Sequence, residues 1–159
     1  MSGICGSYAP TTPADEAAEI MAAMASGLVL KAATDHVGSA SAGRCLAAAS
    51  GAAIATDATE PVWSAIDGRP RWRTQRFADI AAREDHAAAL IAAYREFGRE
   101  AFAHLSGAWA AAIIDTESGT GLIAVDRVGL RPMCYACSSD GGLVFGTTVD
   151  SVRHHPSVV

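Results

Sequence analysis

The order of patterns along this chain of 159 residues narrows its topology before any motif is read. Gly3–Ala9 is apolar and reads as a short opening strand. Thr12-Pro13 then starts a helix, with Thr as N-cap, Pro at the first helical position, and Asp15 and Glu16 suited to the helix dipole. Ile20, Met21, Met24 and Leu28 share one face of it. Residues 29–66 alternate short apolar stretches with Gly, Ser, Thr and Asp, a pattern of several short strands. Asp67-Gly68-Arg69-Pro70 is a turn signal. Glu84–Phe97 carries apolar residues at helical spacing and stops at Gly98, and a second short helix follows through about Leu105. Ala108–Asp115, Gly121–Asp126, Met133–Cys137 and Gly142–Gly146 then read as a β-meander. Strands, two central helices and a meander imply an α+β layered domain, not a βαβ fold.

Such a domain has to close around small side chains. The chain holds 35 alanines against ten aromatic residues, so its layers must approach closely to bury enough area. Its net charge is −5 and its longest basic stretch is the short Arg69–Arg76 run, which disfavours nucleic-acid binding through a basic face. No apolar run approaches the roughly 18 residues of a membrane span, and the N-terminus lacks the basic region of a signal peptide. Four scattered cysteines do not make a disulfide framework, and the expected compartment is the reducing cytoplasm. Cys134-Tyr135-Ala136-Cys137 falls on an expected strand, where positions i and i+3 face opposite sides. The pair therefore reads as small buried packing residues, not as a metal or redox site. His154 and His155 read as surface residues, and Trp63, Trp72 and Trp109 as packing residues. Neither a metal nor a cofactor is expected.

Several segments together resemble a known family. Met1-Ser2-Gly3-Ile4-Cys5-Gly6 resembles the Met-Cys-Gly-Ile-x-Gly opening of class II glutamine amidotransferases, most closely the asparagine synthetase branch. The stretch Leu90–Gly98 resembles the family's helix ending in Tyr-x-x-x-Gly. Leu105–Asp115 resembles its Leu-x-Gly-x-Phe-Ala-Phe-Ala-x-x-Asp strand. Ala124-Val125-Asp126-Arg127-Val128-Gly129-Leu130-Arg131-Pro132-Met133-Cys134-Tyr135 resembles the block Ala-Arg-Asp-x-x-Gly-x-x-Pro-Leu-Tyr-Tyr. The resemblance implies an N-terminal nucleophile hydrolase fold, a four-layer αββα sandwich of two antiparallel sheets. It implies a single glutaminase-like domain over 1–159, with the ATP-using synthetase domain absent from this chain. In the family an exposed N-terminal Cys attacks the glutamine amide, its own α-amino group serves as base, and ammonia passes to the synthetase domain.

The same resemblance marks departures at the substrate contacts. Ser2 stands at the position of the nucleophile, and a hydroxyl ionises far less readily than a thiol. Asp67 and Gly68 occupy the oxyanion site, where the family has Asn-Gly. The Gly68 N–H can still donate there, but the Asp67 side chain is an acceptor where a donor is needed. Arg69 replaces a Glu that meets the substrate ammonium, a reversed charge, and His86 aligns with an Asp of the same role, with Asp85 one residue off. Arg44-Cys45-Leu46 is the nearest match to the strand of the Arg that clamps the substrate carboxylate: Cys45 takes that place if Leu46 is the anchor, and the clamp survives if Arg44 itself is.

Scaffold motifs persist while substrate contacts change. The expectation is a catalytically degenerate domain without glutaminase activity of its own. It would be a structural or docking part of an asparagine synthetase-like amide-forming enzyme, partnered by an ATP-dependent synthetase or cyclase. Its departures resemble those of the domains in lasso-peptide cyclases and β-lactam synthetases, which use an internal amine. Two alternatives stay open. One is an active amidohydrolase using Ser2 to supply ammonia. The other is a module holding a small anionic ligand in the former glutamine pocket, through the Arg69–Arg76 stretch.

Overall fold

The computed structural model describes residues 2–28, 36–49, 51–57, 59–138 and 141–158. Strand β1 (Gly3–Tyr8) leads to helix α1 (Ala14–Ser26), then to β2 (His36–Ser41), β3 (Arg44–Ala49), β4 (Ala52–Ala55) and β5 (Val62–Trp72). Helices α2 (Gln75–Arg83) and α3 (His86–Phe97) and a 3-10 helix (Gly98–His104) follow. Strands β6 (Leu105–Asp115), β7 (Thr120–Val125), β8 (Cys134–Cys137) and β9 (Leu143–Gly146) lead to a short α4 (Val149–Arg153). Among the described residues the strands make two antiparallel sheets, ordered β2-β3-β1-β9-β8 and β4-β5-β6-β7.

Three apolar layers hold these parts together. Ile20, Met24 and Leu28 pack on the first sheet beside Cys45 and Ala47. Leu90, Phe77 and Trp109 lie between α2, α3 and the second sheet. Ile4, Leu46, Trp63, Ala65, Ala112 and Phe145 fill the space between the sheets. The order is helix, sheet, sheet, helix, which is the four-layer αββα sandwich. Alanine decides how closely the layers meet: Ala47, Ala65, Ala110, Ala111 and Ala112 are all fully buried in the strands. Small residues at facing positions let two sheets interdigitate without voids.

The structure also corrects the sequence reading at several points. Helix α1 begins at Ala14 with Pro13 as its N-cap, so Thr12 makes no cap and Pro13 stands one place earlier than expected. Asp67–Pro70 is not a turn but the interior of β5, whose register with β6 runs unbroken from Val62↔Asp115 to Trp72↔Leu105. Pro70 is tolerated because it faces Gly107 in a pair that exchanges no backbone hydrogen bonds. The alternation is fixed on one side by Arg73, whose N–H donates to the His104 carbonyl at 2.9 Å. It is fixed on the other by Trp109, which bonds outward: its carbonyl accepts from the Asp126 N–H at 2.9 Å. Helix α2 has no counterpart in the sequence reading, which took Arg76 as the end of a short basic run. It begins after Thr74 and buries Phe77. Helix α3 begins at His86 behind an Asp85 cap, whose carboxylate accepts from the Ala88 N–H at 2.8 Å. No helix among the described residues is long and apolar enough to cross a membrane.

Candidate functional site

The start of β1, the middle of β5 and the loop after β7 converge at one end of the sandwich. There a single guanidinium nitrogen bridges two of the expected site residues. Arg131 Nη1 donates to Ser2 Oγ at 3.1 Å and to Asp67 Oδ2 at 3.3 Å. Asp67 is 1 % exposed, and its Oδ1 has no hydrogen-bond partner among the described residues. A buried carboxylate oxygen without a donor is costly, and such atoms concentrate where a ligand or solvent group completes the set.

Arg131 is aimed by its own loop. Asp126 Oδ1 accepts from the Val128 N–H at 3.0 Å, and Oδ2 accepts from the Arg131 N–H at 3.2 Å and the Trp109 N–H at 3.4 Å. Burial pushes the Asp126 carboxyl up, but backbone N–H bonds from Leu130, Val128, Arg131 and Trp109 outweigh it and hold the group below its ordinary value. An anionic side chain thus organises a tight loop whose basic residue then reaches Ser2, 129 positions away in sequence.

Gly68 lies on β5 directly after Asp67, with φ +116°. A Cβ there would collide with the Ala108 carbonyl, so the position admits only glycine. The hydrogen-bond alternation that accommodates Pro70 also turns the Gly68 N–H away from β6. Strand β4 begins at Ala52, opposite Asp67, which leaves Gly51 opposite Gly68 on the side its N–H faces. Gly51, in the turn before β4, also approaches Ser2: a Cβ built on it would meet Ser2 Cβ at 3.4 Å.

The other expected residues are not brought to this cluster. Arg44 pairs with Tyr8 at the far end of β1, while Gly3 pairs with Ala49. That puts Arg44 about 20 Å along the sheet from Ser2, at ~3.3 Å per residue. Its guanidinium is buried and lies 3.9 Å over the Trp63 ring, donating to the carbonyls of Pro61 (2.6 Å) and Glu60 (2.8 Å). These are contacts that pin a loop to the sheet. His86 accepts from Trp72 Nε1 at 3.2 Å, and burial pulls its imidazole below its ordinary value despite neighbouring Asp85. Asp85, not His86, lines a cavity of about 440 Å³ that it shares with Ala49, Gly51 and Ala52. Arg69 is exposed two residues beyond Asp67 on β5, about 7 Å along the strand.

Cys5 and Cys45 supply no substitute nucleophile. Cys5 and Cys45 are buried, and burial pushes both thiols well above the ordinary range. Cys134 is half-buried and Cys137 exposed on β8, so the pair is less buried than its sequence suggested. His155 is buried, not on the surface, while His154 is exposed beside Ser26 at 3.2 Å. Among the described residues no group of His, Cys, Asp or Glu is arranged to hold a metal ion.

With this geometry in place, the matched family is informative. The model of the glutamine amidotransferase domain matches residues 76–159, more than half of the chain. The chain belongs to that family. Among curated proteins, none matches it. The match on this amidotransferase domain covers α2, α3, the meander and the Asp126–Arg131 loop. It begins after Ser2, Asp67 and Gly68. Arg131 is the site residue that sequence reasoning missed. It was visible only inside the Asp126–Pro132 block, and nothing local says that a loop arginine returns to the second residue of the chain.

Proposed function

We propose that this amidotransferase domain does not hydrolyse glutamine and serves as a structural, docking part of an ATP-using, asparagine synthetase-like amide-forming enzyme. The observation that carries this reading is the Arg131 bridge between Ser2 Oγ and Asp67. A hydroxyl that accepts from a guanidinium has a lone pair occupied by a cation, which lowers its nucleophilicity. An oxyanion forming beside it would face the Asp67 carboxylate, where a neutral donor would stabilise it. The serine at position 2 and the carboxylate of Asp67 near it fit an enzyme that takes its amine from within a peptide or acyl substrate, as a macrocyclase or β-lactam-forming synthetase does. Its setting is a reducing cytoplasm, in keeping with four unpaired cysteines.

One observation favours a rival reading, an amidohydrolase using Ser2: Gly68, the expected oxyanion donor, is retained directly after Asp67 at φ +116°. Titration of the domain against an asparagine synthetase-like ATP-using domain stripped of its own glutaminase part separates the two. The docking reading expects a stable 1:1 complex and amide formation that needs the domain but not Ser2. A domain that stays monomeric and releases ammonia from glutamine in a Ser2-dependent way contradicts it.

A further inference from the structure

We infer that the notch between the 3-10 helix and the open edge of β6 binds a small organic anion, an oxyanion carried on an apolar or aromatic body. The inference does not depend on the docking role proposed above. The notch is a cavity of about 490 Å³, within the range of small-molecule sites. Its walls are Phe102, Leu105 and Trp109, whose Phe102 and Trp109 rings are stacked at 6.0 Å. The charged residues lining it are Arg73 and Arg127, both exposed and without an ion pair among the described residues. Asp126, next to Arg127, spends its oxygens on backbone N–H groups.

A backbone donor completes the set. Gly107 faces Pro70 in a pair without ladder bonds, so its N–H points away from β5, as Trp109 bonds outward two residues later. Strand β7 ends opposite Ala110, so no strand covers Gly107 on that side. Gly107 lines the cavity. Two arginines and one backbone N–H therefore line a notch walled by stacked aromatic rings, in a chain whose net charge is negative. The larger cavity of about 610 Å³ beside α3 differs in kind: Arg95 and Glu60 there pair with each other, as do Arg83 and Glu84, which leaves less unanswered charge.

The probe is 4-phenylbutyrate, with 4-phenylbutylamine and inorganic phosphate as comparisons, followed by amide and indole NMR shifts on the full chain. The expected result is saturable binding of 4-phenylbutyrate near ~1 mM, usual for a ligand of its size. Shifts should centre on the Gly107 amide and the Trp109 indole. The amine should give none, and phosphate should bind more weakly through charge alone. Arg73→Gln and Arg127→Gln should each weaken binding about fivefold and together about twentyfold, while Arg71→Gln, the same charge change outside the cavity, leaves it unaltered. All three arginines are exposed, so the variants should keep the parent spectrum elsewhere. Equal binding of the amine, shifts that survive the double substitution, or no saturable binding at ten times that concentration would overturn the inference.

Discussion

Strands β5 and β6 carry two buried aspartates in their shared ladder, Asp115 at one end and Asp67 at its middle, and the two are treated differently. Asp115, opposite Val62, is closed on both oxygens. It accepts from Tyr94 Oη at 3.0 Å, Ser118 Oγ at 2.7 Å, the Glu117 N–H at 3.0 Å and the Ser118 N–H at 3.2 Å. Asp67, opposite Ala110, has a single long contact to Arg131 and one oxygen with no partner among the described residues. Burial is similar, at 8 % and 1 % exposure, so burial does not explain the difference. A carboxylate satisfied by its neighbours serves the fold. One left open beside Ser2 is a candidate contact for a ligand, and the fold tolerates it.

That contrast fixes the order of substitution effects. The largest belongs to the backbone beside Asp67. Gly68→Ala puts a Cβ against the Ala108 carbonyl at φ +116°, and should cost about 3 kcal/mol in urea unfolding. Asp115→Ala should cost about 2–3 kcal/mol by the same measurement, since Tyr94 and the Ser118 turn lose their acceptor. Asp67→Asn should change stability by less than about 1 kcal/mol, because Arg131 is 37 % exposed and solvent replaces much of the pair. If Asp67→Asn proves as costly as Asp115→Ala, the two carboxylates are alike and the contrast fails.

The pH dependence sharpens the same comparison. Burial raises the Asp115 carboxyl, but bonds from Ser118, Tyr94 and Glu117 outweigh it and hold the group below its ordinary value of 3.8. Its contribution is present above that value and disappears as the pH falls through the lowered one, so Asp115→Asn should flatten the acid limb of stability. His86 works from the other direction. Burial lowers its imidazole below 6.5, so the folded state prefers the neutral ring. Stability should fall as the pH drops below about 6.5, and His86→Gln should remove that slope, the smallest effect of the series. A slope unchanged in His86→Gln would assign it to another group.

Much of the architecture was legible because it rests on local chemistry. Gly98, at φ +57°, closes α3 as expected, and the meander strands fall within a few residues of their expected positions. The errors share a cause. Asp67-Gly68-Arg69-Pro70 uses turn residues, but a register of eleven paired positions overrides them, with glycines supplying the twist on both strands. Helix α2 hid because its apolar residues, Phe77 and Ile80, sit among charges at the end of the short basic run. The site was only partly legible. Ser2, Asp67 and Gly68 were found through resemblance, but the Arg131 bridge depends on tertiary proximity. Arg44 shows the converse, since a plausible local match stands at the wrong end of its strand.

The proposed loss of glutaminase chemistry is tested most directly by ammonia release from glutamine, comparing purified protein with its Ser2→Ala variant. The account predicts the same background rate for both. Turnover in the parent that disappears in Ser2→Ala would contradict it.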